Sequence, residues 1–158
     1  MGLKRNMEAR NNQHKSSSME QQRAEEIILK QVCRWLGMEL EHGPKIFVGS
    51  TFMQPDFYSK EEGVIGEISA HIGRTNKAQD NKIANDLLKM LLLEKLEGRN
   101  YRKIIVVCDE NVYAKLCGTS ILAQCVQEFG VEVKMMDIDG NLRADIVSAQ
   151  TRQRMVNA

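Results

Sequence analysis

The 158 residues, 42% of them hydrophobic, suffice for one domain with a single sizeable core. Lysine and arginine total 22 against 21 acids, so net charge marks no nucleic-acid partner, and any such contact must come from basic residues gathered on one face. No stretch approaches a membrane span, and the N-terminus lacks both the apolar core of a signal peptide and the Ser or Thr four residues after Gly2 that myristoylation needs. Cys33, Cys108, Cys117 and Cys125 are irregularly spaced with no CxxC pair, which argues against zinc or a redox dithiol. A cytoplasmic protein with four reduced thiols in or near its core is the expectation.

Residues 1–17 are polar and of mixed charge, and carry too little apolar surface to offset their ordering entropy. They read as a flexible tail, leaving 18–158 as the domain. Lys4, Arg5, Arg10 and Lys15 would reach a phosphate backbone from there or simply be solvated. A helix is expected from Ser17 or Ser18, either of which can cap its first turn, to Gly37. Its apolar stripe is Ala24, Ile27, Ile28, Val32, Trp35 and Leu36, and Glu25 falls inside that stripe while Glu26 falls outside. An acid on an apolar face either sits at the rim or needs a cation or metal beside it.

Gly43-Pro44 breaks the chain before a short strand, Lys45–Ser50. A second strand carries Pro55-Asp56, and after the turn Ser59–Gly63 a third runs from Val64 to Ile72. That third strand alternates: Val64, Gly66, Ile68, Ala70 and Ile72 share one face, and Glu67, Ser69 and His71 share the other. The hairpin sets Asp56 beside Glu67, and two carboxylates on adjacent strands suit a divalent metal. The three strands form an antiparallel meander.

A helix is expected over Lys77–Glu97, stopped by Gly98, with a stripe of Ile83, Ala84, Leu87, Leu88, Met90 and Leu91, Leu92 at its edge, and Lys82, Asn85, Asp86 and Lys89 on the polar side. Arg74, Lys77, Gln79 and Lys82 place donors just after the candidate metal strand. Tyr101–Asp109 is a buried strand, and a helix over 111–129, broken near Gly118-Thr119, leads to a strand at Val131–Ile138. The crossover rule makes these two strands parallel. Asp137, Asp139 and Gly140 would begin a calcium loop, but Leu142 and Arg143 occupy later ligand positions, which makes this a turn. A terminal helix over 144–158 docks through Ile146, Val147 and Met155, and Arg143, Arg152 and Arg154 make it locally basic.

Pro55-Asp56, the ten residues to Glu67, and a residue two positions later resemble the motif of the PD-(D/E)xK nuclease superfamily, with Ser69 standing where that family has lysine. The element order, helix, three strands, helix, strand, helix, strand, also resembles its core over residues 18–138. The resemblance implies a restriction-endonuclease-like α/β fold, a central mixed sheet flanked by helices. It further implies metal-assisted phosphodiester hydrolysis, with Mg²⁺ or Mn²⁺ held by Asp56 and Glu67 and by Glu25, the acid matched to the first helix. Where the motif lysine is missing, some branches draw the cation from the following helix, which points to Lys82 and Lys77. His71 would serve as a phosphate donor or proton acceptor, or as a hydrogen-bonded structural residue. One branch has a glutamine in this helix with an aromatic four residues later; Gln79 fits the first, but residue 83 is Ile, so Gln79 is taken as a site-lining amide.

Nucleic acid, most readily DNA, is the partner implied, and a homodimer suits two-strand cutting. So small a chain leaves little room for a target-recognition domain, which favours structure- or partner-directed cutting. Two other classes stay open: an inactive nuclease-fold module binding nucleic acid or protein, and an unrelated α/β domain whose carboxylates form surface ion pairs.

Overall fold

The computed structural model describes residues 2–157, with side chains at 7, 8 and 18–156. Twelve elements follow one another: α1 Gly2–Leu36, β1 Glu41–His42, β2 Ile46–Val48, β3 Thr51–Met53, β4 Phe57–Ser59, β5 Val64–Ser69, α2 Lys77–Glu97, β6 Arg102–Val107, α3 Glu110–Leu116, α4 Ile121–Glu128, β7 Val131–Met135 and α5 Gly140–Asn157. A five-stranded mixed sheet in the order β1-β4-β5-β6-β7 forms the centre, and β2 and β3 make a separate two-stranded hairpin. No described helix is long and apolar enough to cross a membrane.

The two faces of the sheet have different covers. Ile28, Leu29 and Val32 of α1 pack on Phe57, Val64, Ile68, Ile104 and Val106, and Leu142 and Ile146 of α5 close over Ala24 beside them. On the opposite face Ile83, Leu87, Met90 and Leu93 of α2, with Val112 of α3 and Val126 of α4, cover Tyr58, Ile65, Ile105 and Val107. Burial on both faces explains why β6 reads as a continuous apolar run. The β5–β6 and β6–β7 pairs are parallel, as the helical crossovers require.

Several boundaries differ from expectation. The helix α1 starts at Gly2 rather than at Ser17 or Ser18, so the stretch assigned to a tail has helical backbone. The side chains of Lys4, Arg5, Arg10 and Lys15 lie outside the described residues. The first strand of the meander is β1, which pairs with β4 through His42↔Phe57; the strand expected at 45–50 instead belongs to the β2–β3 hairpin, inserted between them. Strand β5 stops at Ser69, and beyond it the Gln150 side chain of α5 takes both the amide and the carbonyl of Ile72, at 2.8 and 3.0 Å. On α5 Ile146 docks as expected, whereas Val147 and Met155 are exposed. Cys117 is exposed too, unlike the other three thiols. Asp139 caps α5 by accepting from the Leu142 amide at 2.7 Å, so the acidic stretch is a helix-capping turn.

The hairpin that carries the candidate acids is tightly determined. Gly63 takes φ 66° in its turn, and the register runs Ser59↔Val64, Tyr58↔Ile65 and Phe57↔Gly66. At that last pair the fully buried Phe57 ring lies across Gly66, where a Cβ would sit 1.9 Å from Cζ of the ring. Only glycine leaves this space.

Candidate functional site

Pro55 and Asp56 precede β4 rather than lying within it, and the register continued one step beyond Phe57↔Gly66 leads Asp56 towards Glu67, with which it lines one cavity. Asp56 is fixed there by its own chemistry: Oδ2 accepts a hydrogen bond from the Ile68 amide at 2.7 Å, so the carboxylate stands in for a ladder bond that the strand pair no longer makes. Glu67 is buried and shares a hydrogen bond with Asp56. Burial, then the charges of Asp56 and Asp86, push its carboxyl up to about 9, so at neutral pH it holds its proton. Glu25 is half-buried and reaches the same region from α1, across the end of the sheet. Burial and the Asp56 charge raise it to about 7, against an opposing pull from Lys82.

Two adjoining cavities meet at Lys82. The larger, about 520 Å³, is lined by Gln54, Asp56, Glu67, Asp86 and Lys89 among others. The smaller, about 280 Å³, is lined by Glu25, Ser69, His71 and Gln79. Lys82 borders both, so a single ammonium stands between Glu25 and the Asp56–Glu67 pair. Burial opposes the Lys82 charge, but Asp86, Glu67 and Asp56 together outweigh it and hold its pKa above the ordinary lysine value. Its direct partner is the buried Asp86, at 3.0 Å, which Lys89 also reaches at 3.3 Å.

The remaining sequence candidates divide. Lys77 is an exposed residue at the start of α2 and lines neither cavity. Ser69 lines the smaller cavity in place of a cation. His71 lies past the end of β5, and both its nitrogens are engaged: Nε2 donates to the Arg74 carbonyl at 2.9 Å, and Nδ1 accepts from the Gln79 amide at 3.0 Å. This is the neutral Nε2–H tautomer, with no nitrogen left over for substrate. Gln79 closes a capping box as well, accepting from the Asn76 amide at 2.7 Å while its own amide donates to Asn76 Oδ1 at 3.0 Å. Replacing Asn76 with alanine should therefore cost about 1 kcal/mol of stability in denaturant melts. It should also loosen His71, seen as a shifted imidazole resonance.

Asp86, Lys89 and Gln54 were not among the residues singled out as site candidates. Asp86 was expected on the polar side of α2, yet it is buried with Ile83, Leu87, Met90 and Leu93, whereas Leu88 and Leu92 are exposed. The signal was present, because at 100° per residue Asp86 falls between Met90 and Leu93.

Among the described residues, no three His, Cys, Asp or Glu side chains are drawn together as a ready-made metal shell. The donor set is nonetheless all carboxylate oxygen, which suits a hard cation such as Mg²⁺ or Mn²⁺. No family model, curated protein or solved structure matches the chain.

Proposed function

We propose that the chain is a metal-dependent nuclease of the PD-(D/E)xK type, with a restriction-endonuclease-like sheet, acting on DNA. The observation that carries this reading is the Asp56–Glu67 pair, brought together by the β4–β5 hairpin in a polar cavity that Lys82 also enters. Asp56, Glu67 and Glu25 would hold Mg²⁺ or Mn²⁺, which when bound supplies an acidified water and offsets charge on the scissile phosphate.

The protein's own part is positional and electrostatic. The Ile68 amide fixes the Asp56 carboxylate through Oδ2, on the wall of the cavity that Glu67 also lines. Glu67 must give up its proton for the carboxylates to act together, so activity rises with pH through the range in which it ionises. Lys82 replaces the cation that Ser69 lacks, stabilising negative charge on a phosphate oxygen, and Asp86 orients its ammonium. His71 and Gln79 brace the loop between β5 and α2.

The test is cleavage of supercoiled, linear, single-stranded and branched DNA with Mg²⁺ or Mn²⁺. Asp56→Ala should abolish cutting, and Lys82→Ala should slow it about 10²- to 10³-fold. A folded parent protein that never cuts but binds DNA would make the chain a binding module. Ser69, and the tie between Lys82 and Asp86, would then mark the lost chemistry.

A further inference from the structure

Strand β7 forms one edge of the sheet and pairs only with β6. The Met136 amide donates inward to the Val107 carbonyl at 2.8 Å, and the two-residue period of a strand therefore turns the amides and carbonyls of Val131, Val133 and Met135 outward. Among the described residues none of these outward groups has a hydrogen-bond partner. The strand holds no proline and its register with β6 is unbroken by a bulge, so two of the usual protections of an edge are missing.

The five residues of this edge are complementary to themselves. Laid antiparallel to a second copy about Val133, the strand sets Val133 opposite Val133 and Val131 opposite Met135. These are the residues with outward groups, so every facing pair exchanges its bonds, about six in all. Between them fall the non-hydrogen-bonded pairs, where side chains approach more closely, and there Glu132 meets Lys134 of the other copy, twice. A shift of register by two residues would destroy this match. Both side chains already stand on one face of the sheet, Glu132 bound to Arg102 and Lys134 over the Trp35 ring at 5.0 Å. On the other face, Ile121 and Phe129 are 82% and 47% exposed, and with half-buried Cys125 they form a stripe at four-residue spacing along α4, the helix packed over β7.

We propose that β7 is a dimerisation edge, joining two copies of this chain by antiparallel β7–β7 pairing into one continuous sheet of ten strands, the α4 stripes meeting above the seam. The occupant is a second copy because the charge pattern answers itself. The proposal does not depend on the chemistry of the carboxylate site.

The test is sedimentation equilibrium of the full chain and its variants, each first shown to be folded by circular dichroism. The parent should be a dimer, and Val133→Pro a monomer that keeps its fold, since the lost amide is one the protomer does not use. Lys134→Glu and Glu132→Lys, each setting like charges face to face, should both be monomeric alone yet combine into a heterodimer when mixed. If Val133→Pro fails to fold, the charge-reversed pair still decides. A monomeric parent at high micromolar concentration would overturn the proposal. So would a dimer that survives the charge reversals, or single reversals that fail to recombine on mixing.

Discussion

Glutamine at position 67 should give a protein that melts higher than the parent at pH 8.5 and, on the nuclease reading proposed above, does not cut DNA. The two effects share a cause. In the native state burial and the charges of Asp56 and Asp86 hold Glu67 protonated up to about pH 9, whereas in the unfolded chain it ionises near its ordinary 4.5. A raised native pKa means that the group's contribution to stability is complete below about pH 4.5 and is lost as pH climbs through about 9. Glu25, raised to about 7, acts in the same sense over a narrower window. Glutamine can make the hydrogen bond to Asp56 that the neutral acid makes, but never has to be ionised. At pH 8.5 the variant should gain on the order of 5 kcal/mol, read as a rise in Tm of roughly 10 °C or more, and at pH 5 less than about 1 kcal/mol. Mg²⁺ should recover the alkaline loss of the parent and leave the variant unchanged. A parent whose Tm does not fall between pH 5 and 8.5 would show that Glu67 is not held as described.

The second large effect is mechanical. Gly66→Ala inserts a methyl group where the Phe57 ring already lies, and Phe57 is fully buried between the sheet and α1. Overpacking of this kind costs about 1–3 kcal/mol, and here the upper end or beyond is expected, because the contact is with the body of the ring rather than a flexible tip. The loss should appear as a lower denaturant midpoint with little change in slope. Joining it to Phe57→Leu, which shortens the ring side, should recover part of the loss, so the two changes together cost less than their sum. Strict additivity would place the strain elsewhere. Asp56 and Glu67 lie one step along from this pair, so the same substitution should also disturb their alignment.

How far the chain could be read from its residues depended on how local the determinant was. The bounds of α2 follow from a capping residue, Asn76, and a left-handed stop, Gly98 at φ 63°, both written within a turn of the helix. The β4–β5 hairpin follows likewise from its turn, and with it the approach of Asp56 to Glu67. What lay beyond reach was decided across long separations. Strand β5 ends at Ser69, and beyond it Gln150, 78 residues away, captures the backbone of Ile72, so His71 lies outside the strand that alternation had extended through it. Strand β1 has two residues, too few to show any period. The early start of α1 has no apolar signal, because a helix nucleated by its packed half extends at little further cost. Asp86 was legible by angle, but its polarity outweighed its position.

Helix α1 gains its full cover only from the far part of the chain. Ala24, next to Glu25, is sealed by Leu142 and Ile146, and Gln21 and Glu20 meet Gln153 and Arg152 across 132 positions. During synthesis, then, the N-terminal helix emerges first and finds its partner late. While the ribosome makes the intervening sheet, part of its apolar stripe stays uncovered, a surface on which chaperones act and nascent chains go astray. A protein with this topology cannot complete the wall around its acids until α5 has been made and has reached α1, so the order of synthesis, as well as the sequence, governs when the site first exists.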